Sequence, residues 1–548
     1  MVLATAQEQS PWLRHLEYPD LAIWQVLERT AQRFPDRPAL RFFGRRTTYR
    51  ALLAAVEQFA RGLAAAGVRP GDRVALVLPN APQMVIAYYG ALRAGAVVVP
   101  TNPLYTPREF GVQMRDAEPR VVVALDLVVG RLKDEIGDAT LVTTRIRDYL
   151  PPLLGFLQGL REKAPDMPAT ALPLERVLAM GGAARLPGPA AADEVAVLQY
   201  TGGTTGVPKA AMLSHRNLVA NAMQAEAWMP SYQAGQERVL AVLPFFHVFG
   251  MSVALNLGIL TGAEIDLVPR FNPEETAKEV RRFKPTLFPG APAMYQAVAD
   301  SPHVERWNIR SVRYCISGSA PLPAELQERF ERLTGGVLVE GYGLTEASPV
   351  THCNPLRGER RSGTVGRTFP DTLQRILDPE DPTRELGPGE VGELAVKGPQ
   401  VMLGYYNQPA ETAAVLQDGW LRTGDLGTID EDGFCRIVDR KKDLIIVSGF
   451  NVYPREVEEV LLRHPGVREA VVVGVPDERR GQMVRAVVVP WPDRRPTEEE
   501  LHAYCRERLA GYKTPRQFEL REELPRTAIG KVLRRVLVAE ATEQKKEE

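Results

Sequence analysis

The sequence predicts an α/β protein in which a large N-terminal region of mostly parallel sheets, covered by helices, precedes a small α+β region. Apolar strand-like runs alternate with helical stretches up to about residue 435, as in RVALVLP, QMVIAYYGALRAG and AVVVP between residues 73 and 100. Beyond that point the pattern changes to a helix, two strands and a second helix. The 548 residues exceed what one hydrophobic core usually holds, so two or more domains are expected.

Individual elements are predicted from local patterns. VRYCISGSA (312–320) is typical of a strand that ends in a turn, and the following PLPAELQERFERLTG of an amphipathic helix. DGFCRIVDRKKDLIIVSG (432–449) predicts a β-hairpin or strand pair interrupted by the charged cluster DRKKD. After it, EVEEVLLRHPGV and TEEELHAYCRERLAGY predict helices, while REAVVVGVP and QMVRAVVVP predict strands. These changes place an N-terminal domain at 1–438, a linker at 439–443 and a C-terminal domain at 444–548.

Composition and charge exclude several classes of function. The 67 Lys and Arg residues balance 68 Asp and Glu residues to a net charge of −1, which argues against general nucleic-acid binding. No apolar run is long enough to span a bilayer and no signal-peptide pattern is visible, so we expect a cytoplasmic protein. The cysteines lack C-x-x-C spacing and predict neither a disulfide framework nor a zinc site; they are Cys315, Cys353, Cys435 and Cys505.

The stretch YTGGTTGVPK (200–209) combines three glycines, several hydroxyl side chains and a lysine after the apolar run VAVLQ. A Gly-rich backbone lets successive N–H groups converge on an anion. The common nucleotide loop has Gly-Lys-Ser/Thr in succession, whereas Val207 and Pro208 separate Gly206 from Lys209 here. Taken alone, the stretch predicts a polar surface loop as readily as a phosphate-binding loop.

Further characteristic stretches occur in a fixed order along the chain. They are LPFFHVFGM (243–251), SGSAPL (317–322), EGYGLTEASP (340–349), WLRTGDLG (420–427), DRKKDLIIVSGFNVYP (439–454) and PRTAIGKVLRR (525–535). In this order they resemble the adenylate-forming ligases, which include acyl-CoA synthetases, luciferases and peptide-synthetase adenylation domains. KGPQVMLGYY, DRKKDLIIVSGFNVYPREVE and ELPRTAIGKVLRR resemble bacterial long-chain fatty-acid–CoA ligases in particular. The resemblance covers essentially the whole chain, and implies a smaller β subdomain and a mobile C-terminal domain.

The resemblance implies a site for ATP and Mg²⁺ in the Gly-rich loop and the EGYGLTE stretch. Thr201 would meet the magnesium–phosphate cluster, and the backbone after it, with Thr204 and Thr205, would hold the β- and γ-phosphates. Thr345 would offer its hydroxyl to the α-phosphate, and Glu346 its carboxylate to Mg²⁺, which prefers oxygen ligands. Without the resemblance, EGYGLTE would be typical of a capped helix start.

The same resemblance implies contacts to the adenosine. Tyr342 would stack on adenine between two glycines, and the backbone of Gly318–Ala320 would form the opposite wall. Asp425 would accept from both ribose hydroxyls, and Arg440 and Lys442 would also reach the nucleotide. The full predicted nucleotide-binding set is Thr201, Gly202, Gly203, Thr204, Thr205, Gly206, Lys209, Gly318, Ser319, Ala320, Glu340, Gly341, Tyr342, Gly343, Asp425, Arg440, Lys442 and Gly449.

The segment around His247 indicates the kind of acid. Between Arg238 and Glu264 there is no Asp, Glu, Lys or Arg. Adenylation domains for amino acids need a carboxylate there, because an unpaired buried ammonium is very costly. An uncharged acyl chain therefore fits better. The resemblance places His247 beside the acyl carboxylate in a positioning role, whereas an isolated histidine would more often be a hydrogen-bonded core residue.

The resemblance makes Lys531 the main catalytic residue, with His247, Thr345 and Glu346 in support. Attack of the substrate carboxylate on the α-phosphate accumulates negative charge, which a mobile ammonium would stabilise when the site closes. The C-terminal domain would then turn about Lys442 and Asp443 and bring the loop with Gly449 to the site, opening a path for the CoA thiol.

These features predict ATP-dependent activation of a long-chain fatty acid to an acyl-adenylate, followed by transfer to CoA. A medium-chain or aryl-CoA ligase is the alternative within the family. A catalytically silent lipid-binding or uptake protein is a third hypothesis, which the sequence favours less. A peptide-synthetase module is disfavoured because no carrier domain follows Lys531 and no ammonium-binding acid is found. Ala210 replaces a glycine that often follows the loop lysine in relatives, which alters the end of the Gly-rich loop. Met251 stands where some relatives carry a bulky aromatic residue that gates the acyl site, so this gating is not inferred for the present chain.

The segment YLPPLLGFLQGLREK (149–163) crowds leucines and a phenylalanine behind two prolines, with basic residues nearby. A loop or short helix that touches a membrane surface is one prediction, which would make the protein peripheral at the inner membrane. A linker packed on its own domain is the alternative that we favour from sequence alone. The sequence leaves a homodimer open.

Overall fold

The computed structural model describes residues 15–160, 167–182, 184–201, 209–302, 304–477, 479–527 and 531–547. The contacts divide the chain into two compact units. The larger unit is Met1–Leu373 with Lys397–Leu421, and the smaller is Gln374–Val396 with Arg422–Glu548. The smaller unit thus includes strands that precede residue 438, while the predicted functional boundary at 439–443 stays a prediction.

The described strands, in chain order, are β1 (Pro38–Phe42), β2 (Arg45–Thr48), β3 (Arg73–Val77), β4 (Val97–Pro100), β5 (Val121–Leu125), β6 (Thr140–Thr144), β7 (Leu172–Pro173), β8 (Val195–Thr201), β9 (Lys209–Ser214), β10 (Arg238–Ala241), β11 (Glu264–Leu267), β12 (Tyr314–Ser317), β13 (Val337–Gly343), β14 (Val350–Cys353), β15 (Arg367–Thr368), β16 (Leu373–Leu377), β17 (Gly392–Lys397), β18 (Gly404–Tyr405), β19 (Leu416–Gln417), β20 (Trp420–Ile429), β21 (Cys435–Arg440), β22 (Ile445–Val447), β23 (Phe450–Val452), β24 (Val467–Asp477), β25 (Gly481–Pro490) and β26 (Gln517–Leu520).

The described α-helices are α1 (Ile23–Arg33), α2 (Tyr49–Ala65), α3 (Pro82–Arg93), α4 (Pro107–Ala117), α5 (Asp126–Leu132), α6 (Pro152–Gly159), α7 (Leu174–Met180), α8 (His215–Trp228), α9 (Leu257–Leu260), α10 (Pro273–Phe283), α11 (Pro292–Ala299), α12 (Ala324–Thr334), α13 (Pro409–Val415), α14 (Pro454–Leu462), α15 (Glu498–Arg506) and α16 (Arg534–Glu547). A π-helical segment spans Gly250–Asn256. Short 3₁₀ turns occupy Lys133–Glu135, Ile146–Tyr149, Val304–Trp307, Thr345–Ala347 and Lys441–Asp443.

The larger unit contains an eight-stranded sheet in the order β18-β9-β8-β4-β3-β5-β6-β7. Neighbouring strands from β8 to β7 are parallel, and β9 and β18 add antiparallel strands at one edge. Strand β5 reads VVVAL and is buried along its whole length, as expected for a parallel strand covered on both faces. The predicted α/β class with mostly parallel sheets is confirmed.

A second group of strands in the larger unit brings several predicted site segments to one edge. Leu287 forms one parallel bridge to Val239 in β10 and another to Tyr314 in β12, so it links these two strands. Strand β12 in turn pairs in parallel with β13. The carboxyl ends of parallel strands lie at the same edge of a sheet. The segments that follow β10 and β12 carry His247 and Gly318, and they therefore emerge beside the end of β13, which carries Tyr342.

The smaller unit contains two sheets. One has the order β16-β17-β20 with β21 paired to β20, and the other has the order β23-β22-β25-β24 with β26 paired to β25. Helices α14 and α15 pack on the second sheet through Val457, Leu461, Leu501 and Cys505, which are all buried. These elements confirm the helices and strands predicted after residue 449.

The prediction of a hairpin or strand pair at residues 432–449 is wrong in its pairing. Strands β21 and β22 exist, but β21 pairs with β20 and β22 with β23 and β25, so they belong to different sheets. The charged cluster between them is partly exposed but is anchored at one residue. Lys441 donates to the carbonyl of Pro379 at 2.8 Å and lies 3.4 Å from the carboxylate of Glu393, which holds it on the first sheet.

Within the described part of the chain, no helix combines the length and apolar character needed to cross a bilayer. All four cysteines are buried, and none is paired with another.

Candidate active site

The predicted adenine wall and the predicted stacking residue lie on neighbouring strands. Ser317 at the end of β12 is the register partner of Glu340 in β13, so Gly318 follows beside Gly341. The carboxylate of Glu340 accepts a hydrogen bond from the backbone N–H of Leu322 at 3.1 Å and thereby closes the intervening loop. Glu340 therefore holds the shape of this loop, a role that sequence reasoning did not give it.

Tyr342 and Gly343 occupy the end of β13. The Tyr342 ring is half-buried and packs edge-to-face on His352, with ring centroids 5.8 Å apart. A Cβ atom on Gly343 would lie 2.0 Å from the carbonyl oxygen of Pro349. Close packing against Pro349 thus requires glycine at this position, and the predicted contact of Gly343 with the nucleotide stays a prediction.

The Gly-rich loop connects two paired strands. Thr201 ends β8 and Lys209 begins β9, and the two residues are register partners. The Thr201 hydroxyl donates to the Lys209 carbonyl oxygen at 3.3 Å. Gly202, Gly203, Thr204, Thr205 and Gly206 lie outside the described residues, so their predicted phosphate contacts stay predictions.

Tyr405 connects two of the predicted site residues. Its hydroxyl donates to Oε1 of Glu346 at 2.8 Å, and its ring centroid lies 5.2 Å from Nζ of Lys209. Lys209 also forms an ion pair with Glu411, with an N···O distance of 2.6 Å. The sequence analysis used KGPQVMLGYY only for its resemblance and missed Tyr405 as a site residue. The signal that could have identified Tyr405 is its position in KGPQVMLGYY, one of the stretches that carry the family resemblance.

His247 lies in the loop after β10, and its neighbours connect it to the nucleotide wall. The side-chain amide of Gln199 in β8 donates to the carbonyl of Phe246 at 2.9 Å. Phe249 packs on the adenine-wall loop, since a Cβ on Gly318 would lie 2.8 Å from its ring. The π-helical segment that follows is buried throughout and carries no charged side chain.

Burial lowers the pKa of His247 to about 4, so the imidazole is neutral near pH 7. Its Nε2 atom is buried and has no hydrogen-bond partner among the described residues. A neutral, unpartnered imidazole nitrogen can position a carboxyl group by hydrogen bonding. It is a weak proton acceptor, because its pKa lies far below neutral pH. The predicted positioning role fits this geometry better than general-base catalysis.

Four predicted residues interact within the smaller unit. Asp425 in β20 and Arg440 in β21 are register partners and form an ion pair, with Nε of Arg440 3.2 Å from Oδ1 of Asp425. Burial lowers the pKa of Lys531 to about 8, and the positive charges of Arg440 and Lys442 act in the same direction. The negative charge of Asp425 acts in the opposite direction and raises the pKa of Lys531.

Two further predicted positions of the smaller unit lie in turns. Gly449 has a φ of 83° in the tight turn between β22 and β23, a backbone conformation that favours glycine. Thr527 and Lys531 exchange hydrogen bonds of 2.8 and 3.1 Å, which fix the backbone of Lys531. Lys531 itself is exposed.

The residues present fit a magnesium ion that is held mainly by a nucleotide. No group of three or more His, Cys, Asp and Glu side chains forms a metal cage in the described segments. Mg²⁺ usually keeps several waters and binds through one or two carboxylates together with substrate phosphates. Glu346, with one carboxylate oxygen bonded to Tyr405, can supply that single protein ligand.

Comparison with known proteins agrees with this arrangement. Two family models match the chain, one described as AMP-binding enzyme over residues 27–406 and one as AMP-binding enzyme C-terminal domain over residues 456–531. A long-chain-fatty-acid–CoA ligase of Bacillus subtilis (strain 168) is 46% identical and covers 98% of this chain and 99% of its own. A feruloyl-CoA synthase of an Amycolatopsis species is 37% identical and covers 94% and 97%.

Among solved structures, MatB of Rhodopseudomonas palustris with ATP bound superposes with a TM-score of 0.84 at 32% identity, covering 95% of this chain and 99% of its own. The matches thus extend over nearly the whole chain and over both compact units. The family predicted from the order of the motifs is confirmed: this chain belongs to the AMP-binding enzymes.

Proposed function

We propose that this protein is an ATP-dependent long-chain fatty-acid–CoA ligase. The fatty-acid carboxylate attacks the α-phosphorus of ATP, the bond to the β-phosphate oxygen breaks, and acyl-adenylate and pyrophosphate form. The thiolate of CoA then attacks the acyl carbon and releases AMP, which leaves acyl-CoA. The similarity over nearly the whole length to a ligase of that name carries the proposal.

The acyl segment supports an uncharged substrate chain. The two charged residues that bracket it are engaged elsewhere: Arg238 donates to the carbonyl of Phe283 at 2.9 Å, and Glu264 pairs with Arg46 at 2.6 Å. Arg238 is itself a cation and Glu264 is already paired with arginine, so neither can neutralise the ammonium of an amino acid, and an unpaired buried charge is costly. A medium-chain or aryl acid stays the alternative, favoured by the similarity to a feruloyl-CoA synthase.

A pyrophosphate-release assay tests the acid class. We expect ATP- and acid-dependent release of pyrophosphate that is largest with palmitate, smaller with octanoate and smallest with benzoate and ferulate. A reaction without added acid serves as the control, and phenylalanine tests for amino-acid activation. Preference for benzoate or ferulate would replace the fatty-acyl assignment by the aryl alternative. Release that does not depend on any acid would contradict the ligase function.

The larger unit would bind the nucleotide and the acid. Thr201, the Gly-rich loop and Lys209 would hold the phosphates, and Tyr342 and the Gly318–Ala320 backbone would enclose adenine. Mg²⁺, when bound, would neutralise charge on the triphosphate. Glu346 supplies a carboxylate for it and Thr345 a hydroxyl for the α-phosphate. The proposal is supported by the neighbouring strands β12 and β13, from which the Gly318–Ala320 and Thr345–Glu346 segments emerge.

The smaller unit would act in turn on both half-reactions. Asp425, Arg440 and Lys442 would contact the ribose and phosphates, and Lys531 would stabilise the adenylation transition state. A functional hinge at 439–443, between domains 1–438 and 444–548, would then bring the turn with Gly449 to the site for thioester formation. The interaction of Lys531 with Asp425 and Arg440 within this unit supports its place among the nucleotide-binding residues.

Helix α6 supports a peripheral contact with the inner surface of a membrane. Its glycines face inward, since a Cβ on Gly155 would lie 2.7 Å from the carbonyl oxygen of Arg147. Its large apolar side chains face outward instead, with Leu153 70% and Phe156 65% exposed. A helix that buries glycine and exposes leucine and phenylalanine is suited to insertion into a lipid interface.

Neighbouring residues extend this apolar surface and supply positive charge. The guanidinium of Arg45 donates to the carbonyls of Asp148 and Leu150 at 3.2 and 3.3 Å, which brings the β1–β2 turn beside α6. Phe43 in that turn is 52% exposed. The exposed apolar side chains beside arginine favour a bilayer that contains anionic lipids.

A double substitution tests the membrane contact. Leu153→Ser with Phe156→Ser should weaken binding to phosphatidylglycerol-containing vesicles at least about tenfold, because fully burying one such side chain is worth about 1.5–3 kcal/mol. Turnover without vesicles should not change. Leu104→Ser is the matched control, since Leu104 is 69% exposed but lies outside α6. Unchanged vesicle binding together with loss of a homodimer would show instead that α6 is a contact between two copies.

A further inference from the structure

The predicted magnesium ligand and the predicted loop lysine are both held by one aromatic side chain. Tyr405 is buried in the larger unit, with 8% of its surface exposed. Its hydroxyl meets the carboxylate of Glu346 and its ring lies beside the ammonium of Lys209. Glu346 and Lys209 lie far apart in the sequence, and Tyr405 contacts both of them.

The backbone fixes Tyr405 relative to the strand that begins at Lys209. Strand β18 pairs with β9, with Tyr405 opposite Ala211 and Gly404 opposite Met212. The N–H of Tyr405 also donates to the hydroxyl of Thr412 at 2.8 Å. The ring therefore has a defined position, which an aromatic side chain can keep at low entropic cost because it has few rotatable bonds.

The same strand segment fixes Glu346 at two points. The N–H of Met402 donates to the main-chain carbonyl of Glu346 at 2.8 Å, and the Tyr405 hydroxyl donates to Oε1 at 2.8 Å. A phenol that donates to one carboxylate oxygen orients the carboxylate while leaving the other lone pairs available. Hydrogen bonds of this kind orient metal ligands in many proteins and tune their affinity.

Lys209 is held by its charge and by the ring. Its ammonium is 2.6 Å from Oε2 of Glu411 and 5.2 Å from the centroid of the Tyr405 ring. An aromatic face attracts an ammonium, and the attraction grows where water is excluded. Glu411 is more exposed than Lys209, so an incoming phosphate can replace it as the partner of Lys209.

We propose that Tyr405 is a positioning residue for the magnesium–triphosphate. Its hydroxyl orients the Glu346 carboxylate that receives the cation, and its ring supports the Lys209 ammonium that receives a phosphate. One rigid side chain thereby sets the spacing between the anionic and the cationic partner of the ligand. This inference rests on the proposed use of ATP, but it does not depend on which acid is activated.

Two substitutions separate the hydroxyl from the ring. Tyr405→Phe keeps the ring and removes the hydrogen bond to Glu346, so ATP affinity with Mg²⁺ should fall about tenfold, while ATP affinity in EDTA stays unchanged. Tyr405→Leu also removes the ring and should weaken ATP binding in EDTA as well. Calorimetric titration of the full chain with ATP, with and without Mg²⁺ and without any acid, measures both effects. In turnover, Tyr405→Phe should raise the KM for ATP, with partial rescue at high Mg²⁺, and leave the KM for palmitate unchanged.

Tyr406→Phe is the matched control. Tyr406 directly follows β18 and packs against the apolar cluster of the eight-stranded sheet. It should bind ATP like the unmodified chain with and without Mg²⁺. Equal losses with Mg²⁺ and in EDTA for Tyr405→Phe, together with a lowered unfolding midpoint, would overturn the inference in favour of a packing role. Unchanged affinity of Tyr405→Phe would overturn it too. Failure of the unmodified chain to bind ATP would instead overturn the proposed function.

Discussion

Replacing Lys531 by alanine should lower the rate of acyl-adenylate formation by about a thousandfold, which corresponds to about 4 kcal/mol of transition-state stabilisation. Thioester formation from supplied acyl-adenylate and CoA should continue near the unmodified rate. The reason is that only the first half-reaction accumulates negative charge on the α-phosphate, and Lys531 is the ammonium assigned to that charge. Pyrophosphate release measures the first half-reaction, and acyl-CoA formation from synthetic acyl-adenylate measures the second.

The Lys531 experiment has a matched control and a clear contrary result. Lys513→Ala removes another lysine of the same unit, which pairs with Glu456 at 2.7 Å and has no assigned catalytic role. This control should leave both half-reactions unchanged. If Lys531→Ala slows both half-reactions equally, Lys531 does not act in adenylation alone, and alternation of the smaller unit between the two steps is contradicted.

The pKa of Lys531 gives the same prediction a pH dependence. Its pKa is lowered to about 8, so the ammonium is fully formed only below that pH and is lost as the pH rises through it. The adenylation rate of the unmodified chain should therefore fall between about pH 7 and pH 9, when corrected for ionisation of the substrates. Lys531→Ala should lack this fall, and thioester formation from supplied acyl-adenylate should not show it in either protein.

The local sequence predicted most of the fold because the relevant signals are local. Buried parallel strands such as β5 read as continuous apolar runs, and the helices after residue 449 have a regular apolar period. The pairing at 432–449 could not be predicted from local pattern. Which strands β21 and β22 join depends on β20 and β25, and neither partner is visible in the segment itself.

The sequence predicted which residues form the candidate site better than it predicted the contacts between them. The order of the motifs predicted Lys209 and Glu346 as site residues but not Tyr405, which contacts both of them. Tyr405 lies 59 residues after Glu346 in the sequence, so local spacing does not reveal this contact. The role of Glu340 in closing the loop before Leu322 is another contact that sequence spacing does not encode. The lowered pKa of His247 depends on how completely the surrounding residues bury it, which only the three-dimensional packing determines.

The glycine at position 343 shows how packing, rather than ligand contact, can impose a residue in a functional motif. Gly343 is the register partner of Val350, and the N–H of Leu344 donates to the carbonyl of Pro349 at 3.0 Å. A Cβ on Gly343 would lie 2.0 Å from that same carbonyl oxygen. The backbone on both sides of the turn that carries Glu346 would have to separate to admit it.

Gly343→Ala should therefore lower the free energy of unfolding by about 1–3 kcal/mol and reduce adenylation at least about tenfold, because separation of the two strands displaces Glu346. Gly341→Ala is the comparison, since its Cβ would lie 3.1 Å from Cγ2 of Ile316, a much milder contact than 2.0 Å from a backbone oxygen, and its stability loss should be smaller. Denaturant unfolding and pyrophosphate release measure the two effects. Equal stability of the two variants would show that Pro349 yields easily, and that the requirement for glycine at 343 comes from the nucleotide after all.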